Sequence, residues 1–408
     1  MGHETDAIEI KDNIQLGELG SKLFKGSLGF GVLGLGVAAL LGYSARDGGA
    51  HFMHAYLVNL MYFLSIALGA LFFVTLQHLV RAGWSVTVRR LAELMAGALP
   101  VLAVLFLPIL VAMLAGQANL YSWVDSEMMH NDHLLHKKMA FLNVPFFAAR
   151  CAIYFGFWAL AARYWLRRST AQDQSGDILI TARLQSVSAP AMILFALTLT
   201  YAAFDLLMSL TPTWYSTIFG VYFFAGCVMS FFAAISLFAM LLQRSGRLAT
   251  VITTEHYQDL GKFLFGFVFF WGYIGFSQFM LIWYANIPEE TEWYAPRMAG
   301  GWGWMSLALL FGHFCVPFLG LVSRHVKRNR FGLAFWATFL LVMHWIDLYW
   351  IVMPHLDEHH IPFGMIDVAC LLGVGGVVAA TVAYLGSGRA LVPVRDPRLS
   401  EALAFENS

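Results

Sequence analysis

Residues 52–78 read FMHAYLVNLMYFLSIALGALFFVTLQH, twenty-seven positions without one Lys, Arg, Asp or Glu. Crossing the hydrocarbon of a bilayer takes about 20 helical residues at about 1.5 Å each, so this run suffices for one passage. Runs of similar character occur at 26–43, 92–114, 141–163, 189–210, 216–243, 257–284, 301–322, 331–352 and 364–386. The first is rich in glycine and the third is interrupted by Pro100 and Pro108. Together they predict an all-α polytopic membrane protein with ten transmembrane helices.

The composition leads to the same class. Of 408 residues 59% are apolar, 15% aromatic and only 12% charged, about half the charge of an ordinary soluble chain. So little charge cannot cover a water-facing surface, and the solvent of most of this chain must be lipid. Lys+Arg and Asp+Glu balance at 25 each, which excludes a nucleic-acid partner, since that needs a basic excess. Cys151, Cys227, Cys315 and Cys370 lie in four separate apolar runs without a CxxC pair, a pattern of small core residues rather than zinc or iron–sulfur ligands. The acidic start (Glu4, Asp6, Glu9, Asp12) is unlike a cleavable signal, and Lys22 and Lys25 would hold the first span as an uncleaved anchor.

Basic residues orient the spans. With the N-terminus inside, the inner segments carry twenty Lys and Arg, whereas the outer ones carry only Arg46, Lys137, Lys138 and Arg297. This bias places both termini in the cytoplasm. The outer loops hold His130, His133 and His136 near Asp125, Glu127 and Asp132, then Glu289, Glu290 and Glu292, then the sequence HLDEHH at 355–360. No HExxH-like spacing appears there, so a solvated acidic rim or a docking face bordered by Trp123, Trp293 and Trp302 is expected rather than a metal site.

An internal repeat organises the spans. Residues 204–212 read FDLLMSLTP and residues 346–354 read IDLYWIVMP, each with an Asp seven positions before a Pro at the outer interface. Residues 59–63 (NLMYF) and 219–223 (FGVYF) echo one another as well. Spans 2–5 are thus expected to repeat as spans 6–9, giving two parallel four-helix bundles flanked by spans 1 and 10. The corresponding units are 1–50, 51–210, 211–355 and 356–408.

Ionisable groups at membrane depth are functional candidates, because they are costly unless paired or hydrated. Arg150 and Asp205 fall about 13 and 10 Å below the outer surface at the helical rise, depths that allow an ion pair. The second bundle offers His313, with His344 and Asp347 three apart on one helix face. Three readings compete for this set: helix-locking pairs, a proton relay, and axial haem ligation by His313 and His344. At the inner ends Glu93, Glu255 and Asp259 are either helix-dipole partners or the start of a proton route. Such a route would rise from Glu93 or Asp259 past Ser277 and Gln278 to the outer cluster.

The longest informative stretch is GKF at 261–263 followed by FWGYIGFSQFMLIWYANIPEET at 270–291. With TPTWYSTIFGVY at 211–222, YFLSIALGALFF at 62–73 and LNVPFFAAR at 142–150, it resembles the NrfD/polysulfide-reductase-type membrane subunits of bacterial alternative complex III. The similarity covers roughly residues 50–355 and is greater to the second such subunit than to its paralogue. The resemblance implies ten helices in two four-helix bundles. It further implies a place in the inner membrane within a quinol:cytochrome c, or oxidase-linked, oxidoreductase. Partners would be the paralogous quinol-binding subunit, an iron–sulfur subunit, multihaem cytochrome c subunits and small membrane subunits. C-type haems and iron–sulfur clusters would sit on those partners, with menaquinol as the substrate of the complex and no cofactor on this chain. The His-x-Gly-Arg-Pro-Trp segment that the paralogue carries after span 3 is absent here, where residues 115–123 read AGQANLYSW. A non-catalytic subunit, providing scaffold and proton half-channels, is therefore expected. The alternatives are quinol binding with Asp205 or Asp347 as proton acceptor, and a secondary transporter. The Asp-bearing spans lack the central Gly/Pro break that the transporter reading needs.

Overall fold

The computed structural model describes residues 10–45 and 47–407; Glu4, Asp6, Glu9 and Arg46, used above, lie outside the described residues. Among the described residues ten helices are long and apolar enough to cross a membrane: Glu18–Ser44, Ala50–Leu79, Val86–Leu114, Val144–Ser175, Ile178–Leu210, Phe219–Arg244, Thr254–Ala285, Gly300–Leu321, Arg330–His355 and Met365–Gly386. They are called spans 1 to 10. Among the described residues there is no strand, only the isolated bridges Asn13–Arg247 and Gln15–Ala390. Every expected span is present, but several continue past their hydropathic core. Span 4 runs to Ser175 and span 5 begins at Ile178, so this hairpin projects beyond the apolar runs carrying Arg163, Arg167, Arg168 and Arg183. Hydropathy detects only the part of a helix that meets lipid.

Two spans have an interrupted ladder, each at proline. Span 3 is a helix from Val86 to Ala96 and another from Leu99 to Leu114, with Pro100 in the first turn of the second, where a missing N–H costs nothing. Span 8 passes through a π-helical segment, Leu310–Cys315, immediately before Pro317. Proline cannot donate to the carbonyl four residues back, and the wider turn accommodates that loss.

Spans 2 and 6 form the centre. Their most apolar windows are 83% and 78% buried, against 11% for span 1. They touch at Gly69, where an added Cβ would collide with the Cys227 carbonyl oxygen. Span 2 packs on spans 3 and 5, span 6 on spans 7 and 9, and span 8 lies against spans 7 and 9. Across the junction span 5 rests on span 6 and span 9 rests on span 2. Spans 1 and 10 flank the bundles as one antiparallel pair, with span 10 laid on span 2. Glycines make that pair possible: a Cβ on Gly34 would meet the Gly373 backbone at 2.7 Å, and one on Gly31 the Val377 nitrogen at 2.7 Å. Close backbone approach of this kind is what holds apolar helices together where lipid offers no hydrophobic driving force.

Gly34→Leu should therefore separate spans 1 and 10 and cost about 1–3 kcal/mol by overpacking. Gly36→Leu, at a position with nothing within 4 Å, should be neutral. Thermal unfolding of the two variants in lipid nanodiscs compares them directly, and equal midpoints would refute the glycine seam.

Candidate functional site

Span 4 starts at Asn143, whose side chain accepts the Phe146 N–H at 3.0 Å and fixes the first turn. Two turns on, Arg150 reaches Asp205 of span 5 in a bidentate pair, Nε to Oδ2 and Nη2 to Oδ1, both at 2.8 Å. The Tyr154 hydroxyl donates to Asp205 Oδ2 at 2.8 Å and Arg150 Nη1 to the Phe141 carbonyl at 2.9 Å. Phe141 and Phe146 cover the guanidinium at 3.8 and 4.4 Å. The ion pair expected from the two depths is present, and each nitrogen of Arg150 and each oxygen of Asp205 has a partner. Such an arrangement suits a helix lock: the planar fork of arginine and a carboxylate match, and removal of either side strands a charge.

The second bundle solves the same problem differently. Asp347 of span 9 is buried, 2% exposed, and lies eight residues below His355, about 12 Å from the outer end. Its carboxylate accepts the Tyr222 hydroxyl of span 6 on Oδ1 and the Trp271 indole N–H of span 7 on Oδ2, the latter at 3.2 Å. Among the described residues it has no cationic partner. His344, one turn away, points elsewhere: its Nε2 lies 2.8 Å from Ser65 Oγ of span 2. His313 sits within the π-helical segment of span 8, its ring 3.9 Å from that of Trp271, and neither ring nitrogen has a partner among the described residues. The two histidine rings are 6.3 Å apart. Trp271 presses on one and Ser65 holds the other, and neither borders the cleft described next.

A cleft of about 650 Å³ opens between spans 7 and 8 on the outer side of this cluster. Its walls include Tyr222, Trp271, Gln278, Tyr294 and Trp350. Gln278 is placed otherwise than expected. It lies seven residues beyond Trp271 along span 7, about 10 Å nearer the outer face, so it cannot stand between the inner end and Asp347. The inner approach is instead filled by stacked rings, Phe232 on Phe263 at 4.9 Å and on Phe267 at 6.1 Å.

The inner candidates have their own partners. Glu93 is in neither the first turn of its helix nor a cap, which corrects the dipole reading. It is buried between Arg90 (2.9 Å) and Arg89 (3.6 Å), which in turn hold Asp173 and Asp396. The network ties spans 3 and 4 to the chain after span 10. Asp259 pairs with Lys262 at 2.8 Å, and Glu255, in the first turn of span 7, pairs with Arg328.

The residue missed by sequence reasoning is Arg297, counted above as a loop charge. It is 1% exposed and donates to the carbonyls of Trp293 (2.6 Å), Ile351 (2.8 Å) and Trp350 (3.2 Å). The last two are terminal carbonyls of span 9, so a cation caps the negative end of the helix that bears Asp347. Burial pushes its pKa down to about 9, and it stays charged at neutral pH. On the outer face of the first bundle, Tyr121 donates to the Leu206 carbonyl and Lys138 to that of Pro212, folding the 115–143 loop down on the helix ends. Among the described residues no three His, Cys, Asp or Glu are grouped to hold a metal. Neither a protein-family model nor a curated protein sequence matches the chain.

Arg150→Met and Asp205→Leu should each destabilise the protein by about 3–5 kcal/mol, whereas the double variant should recover most of that loss. A double-mutant cycle read by thermal unfolding tests this; additive losses would mean that the pair is not a unit.

Proposed function

We propose that this chain is an integral subunit of a respiratory quinol:cytochrome c, or oxidase-linked, oxidoreductase of the alternative complex III type. It resides in a bacterial inner membrane with both termini cytoplasmic. Its contribution is scaffold and a proton half-channel, not electron transfer. Quinol oxidation is assigned to the paralogous subunit, with haems and iron–sulfur clusters on further partners. The motif resemblance supports the complex. The bridges of residues 13 and 15 to Arg247 and Ala390 support termini on one face, and the excess of Lys and Arg on that face supports the cytoplasmic assignment.

One observation carries the proton reading: Asp347 is a carboxylate at membrane depth, held by two neutral donors and no cation. Asp205 differs, because protonating it would strand Arg150. Asp347 can take up a proton without leaving an opposite charge unpaired, the property that a relay site needs. Its two donors, Tyr222 and Trp271, line the outer cleft, which supports access from the outer side.

Asp347→Asn in the intact complex, reconstituted in proteoliposomes, should reduce quinol-driven proton translocation at least tenfold while Asp347→Glu retains part of it. Asp205→Asn should lower translocation through loss of folded protein. Undiminished translocation by the Asp347→Asn complex would sink the assignment.

A further inference from the structure

A second hollow, of about 290 Å³, lies between the flanking pair of spans and the two bundles. Leu23 of span 1 and Ala379 of span 10 border it on one side, and Phe63 of span 2 with Ala234 and Phe238 of span 6 border it on the other. Along span 10 it extends from Gly375 to Ala383, about 12 Å of helix. Ala383 is three residues from the end of span 10, and Leu23 is five residues from the start of span 1. The hollow therefore occupies the half of the membrane on the side of the described chain ends and stops near mid-depth. Leu23 is 42% exposed, and Leu241, three residues beyond Phe238, is 60% exposed, so both banks meet lipid. Its wall carries no charged side chain and a single hydroxyl, that of Ser27; what fills it is hydrocarbon.

Apolar walls alone cannot tell one lipid from another, because lipid tails are as apolar as the helices. The discrimination lies at the inner end. Leu16 closes the hollow there, and Arg247 donates to the Gln15 and Leu16 carbonyls at 2.8 and 2.7 Å and otherwise only to Ser245. No carboxylate neutralises this guanidinium among the described residues. Arg244, at the end of span 6, and Lys22, next to Leu23, are exposed and join no ion pair among the described residues. The bridges Asn13–Arg247 and Gln15–Ala390 draw segments 12–23, 244–251 and 386–390 together at this end. These segments hold four cations, Lys22, Arg244, Arg247 and Arg389, against two acids, Asp12 and Glu18. Asp12 is already engaged by the Thr250 and Val251 N–H groups. A positive excess at the level of the lipid headgroups, directly below a hydrocarbon-shaped hollow, matches an anionic phospholipid.

We infer that the hollow holds one acyl chain of an anionic phospholipid from the leaflet on that side, its phosphate set against Lys22, Arg244 and Arg247. This goes beyond the function proposed above and does not depend on it. The full chain in mild detergent, given equimolar phosphatidylglycerol and phosphatidylcholine with identical acyl chains, is read by native mass spectrometry. It should retain one phosphatidylglycerol with at least a fivefold preference. Ala379→Trp, at an exposed position of the wall, should lower that retention at least tenfold. Lys22→Gln combined with Arg244→Gln should abolish the preference and leave phosphatidylcholine retention as it was. Leu40→Trp, 72% exposed towards the other end of span 1, should change nothing, and all variants should keep the parental unfolding temperature. Equal retention of the two lipids by the parental chain would overturn the inference. So would a preference that survives the paired charge substitutions, or retention that Ala379→Trp leaves intact. Neither proton translocation nor a partner subunit enters the measurement, so such a failure says nothing against the Asp347 relay.

Discussion

A carboxylate in hydrocarbon must be neutralised, paired or hydrated, and the outer half of this protein is arranged around two of them. Asp205 and Asp347 occupy equivalent places in two copies of one helical pattern, each seven residues before a helix-ending proline. In the first copy the answer is a bidentate arginine from the neighbouring span. In the second it is two neutral donors, with the cation moved to the end of the same helix, where Arg297 meets the terminal carbonyls. The first answer is rigid, since neither partner can change charge without exposing the other. The second is permissive, since the carboxylate and the carbonyls that hold the cation are separated by about one turn of helix.

Span 9 is where the bundles communicate. Its His344 bonds Ser65 and its Trp345 indole donates to Asn59 at 2.8 Å, both on span 2. The same helix holds Asp347 towards spans 6 and 7. A change in charge at Asp347 is therefore felt by a helix that also belongs to the central seam. In the first bundle, span 5 meets span 6 at the equivalent place, but a Cβ on Gly220 would fall 2.9 Å from Thr200 Cα. That contact is steric and carries no titratable group, so the junction is asymmetric in chemistry although symmetric in packing.

Much of this was legible in the sequence because lipid enforces it. Ten apolar runs could only be helices, and the Arg150–Asp205 pair followed from arithmetic on helical rise. What escaped has physical causes as well. Hydropathy is blind to helix outside the bilayer, so the length of the span 4–5 hairpin could not be read. Glu93 resembled a cap because its helix begins at Val86, ahead of the apolar run, and the carboxylates that complete its arginine network, Asp173 and Asp396, are distant in sequence. Arg297 looked like a loop charge because its acceptors are main-chain carbonyls, which leave no mark on composition. Gln278 was ordered wrongly along the supposed route, since span 7 runs outward and the residue lies beyond Trp271. The glycines of span 1 looked like weakness until span 10 was placed against them.

The first bundle is locked by a bidentate pair and the second has none. Joined at spans 2 and 6, the two bundles share the burden of stability, and a single bidentate pair is enough to register one of them. The other copy is then released from needing its own cation at depth. It keeps the carboxylate, acquires a π-helical segment in span 8 at His313, and opens a lipid-facing cleft beside Trp271. Each of these features reduces packing or leaves polar atoms unsatisfied, and each would be a defect in a pure scaffold. Their concentration around one uncompensated acid, in the half of the molecule that does not carry the lock, is the strongest argument that the second bundle holds the working site.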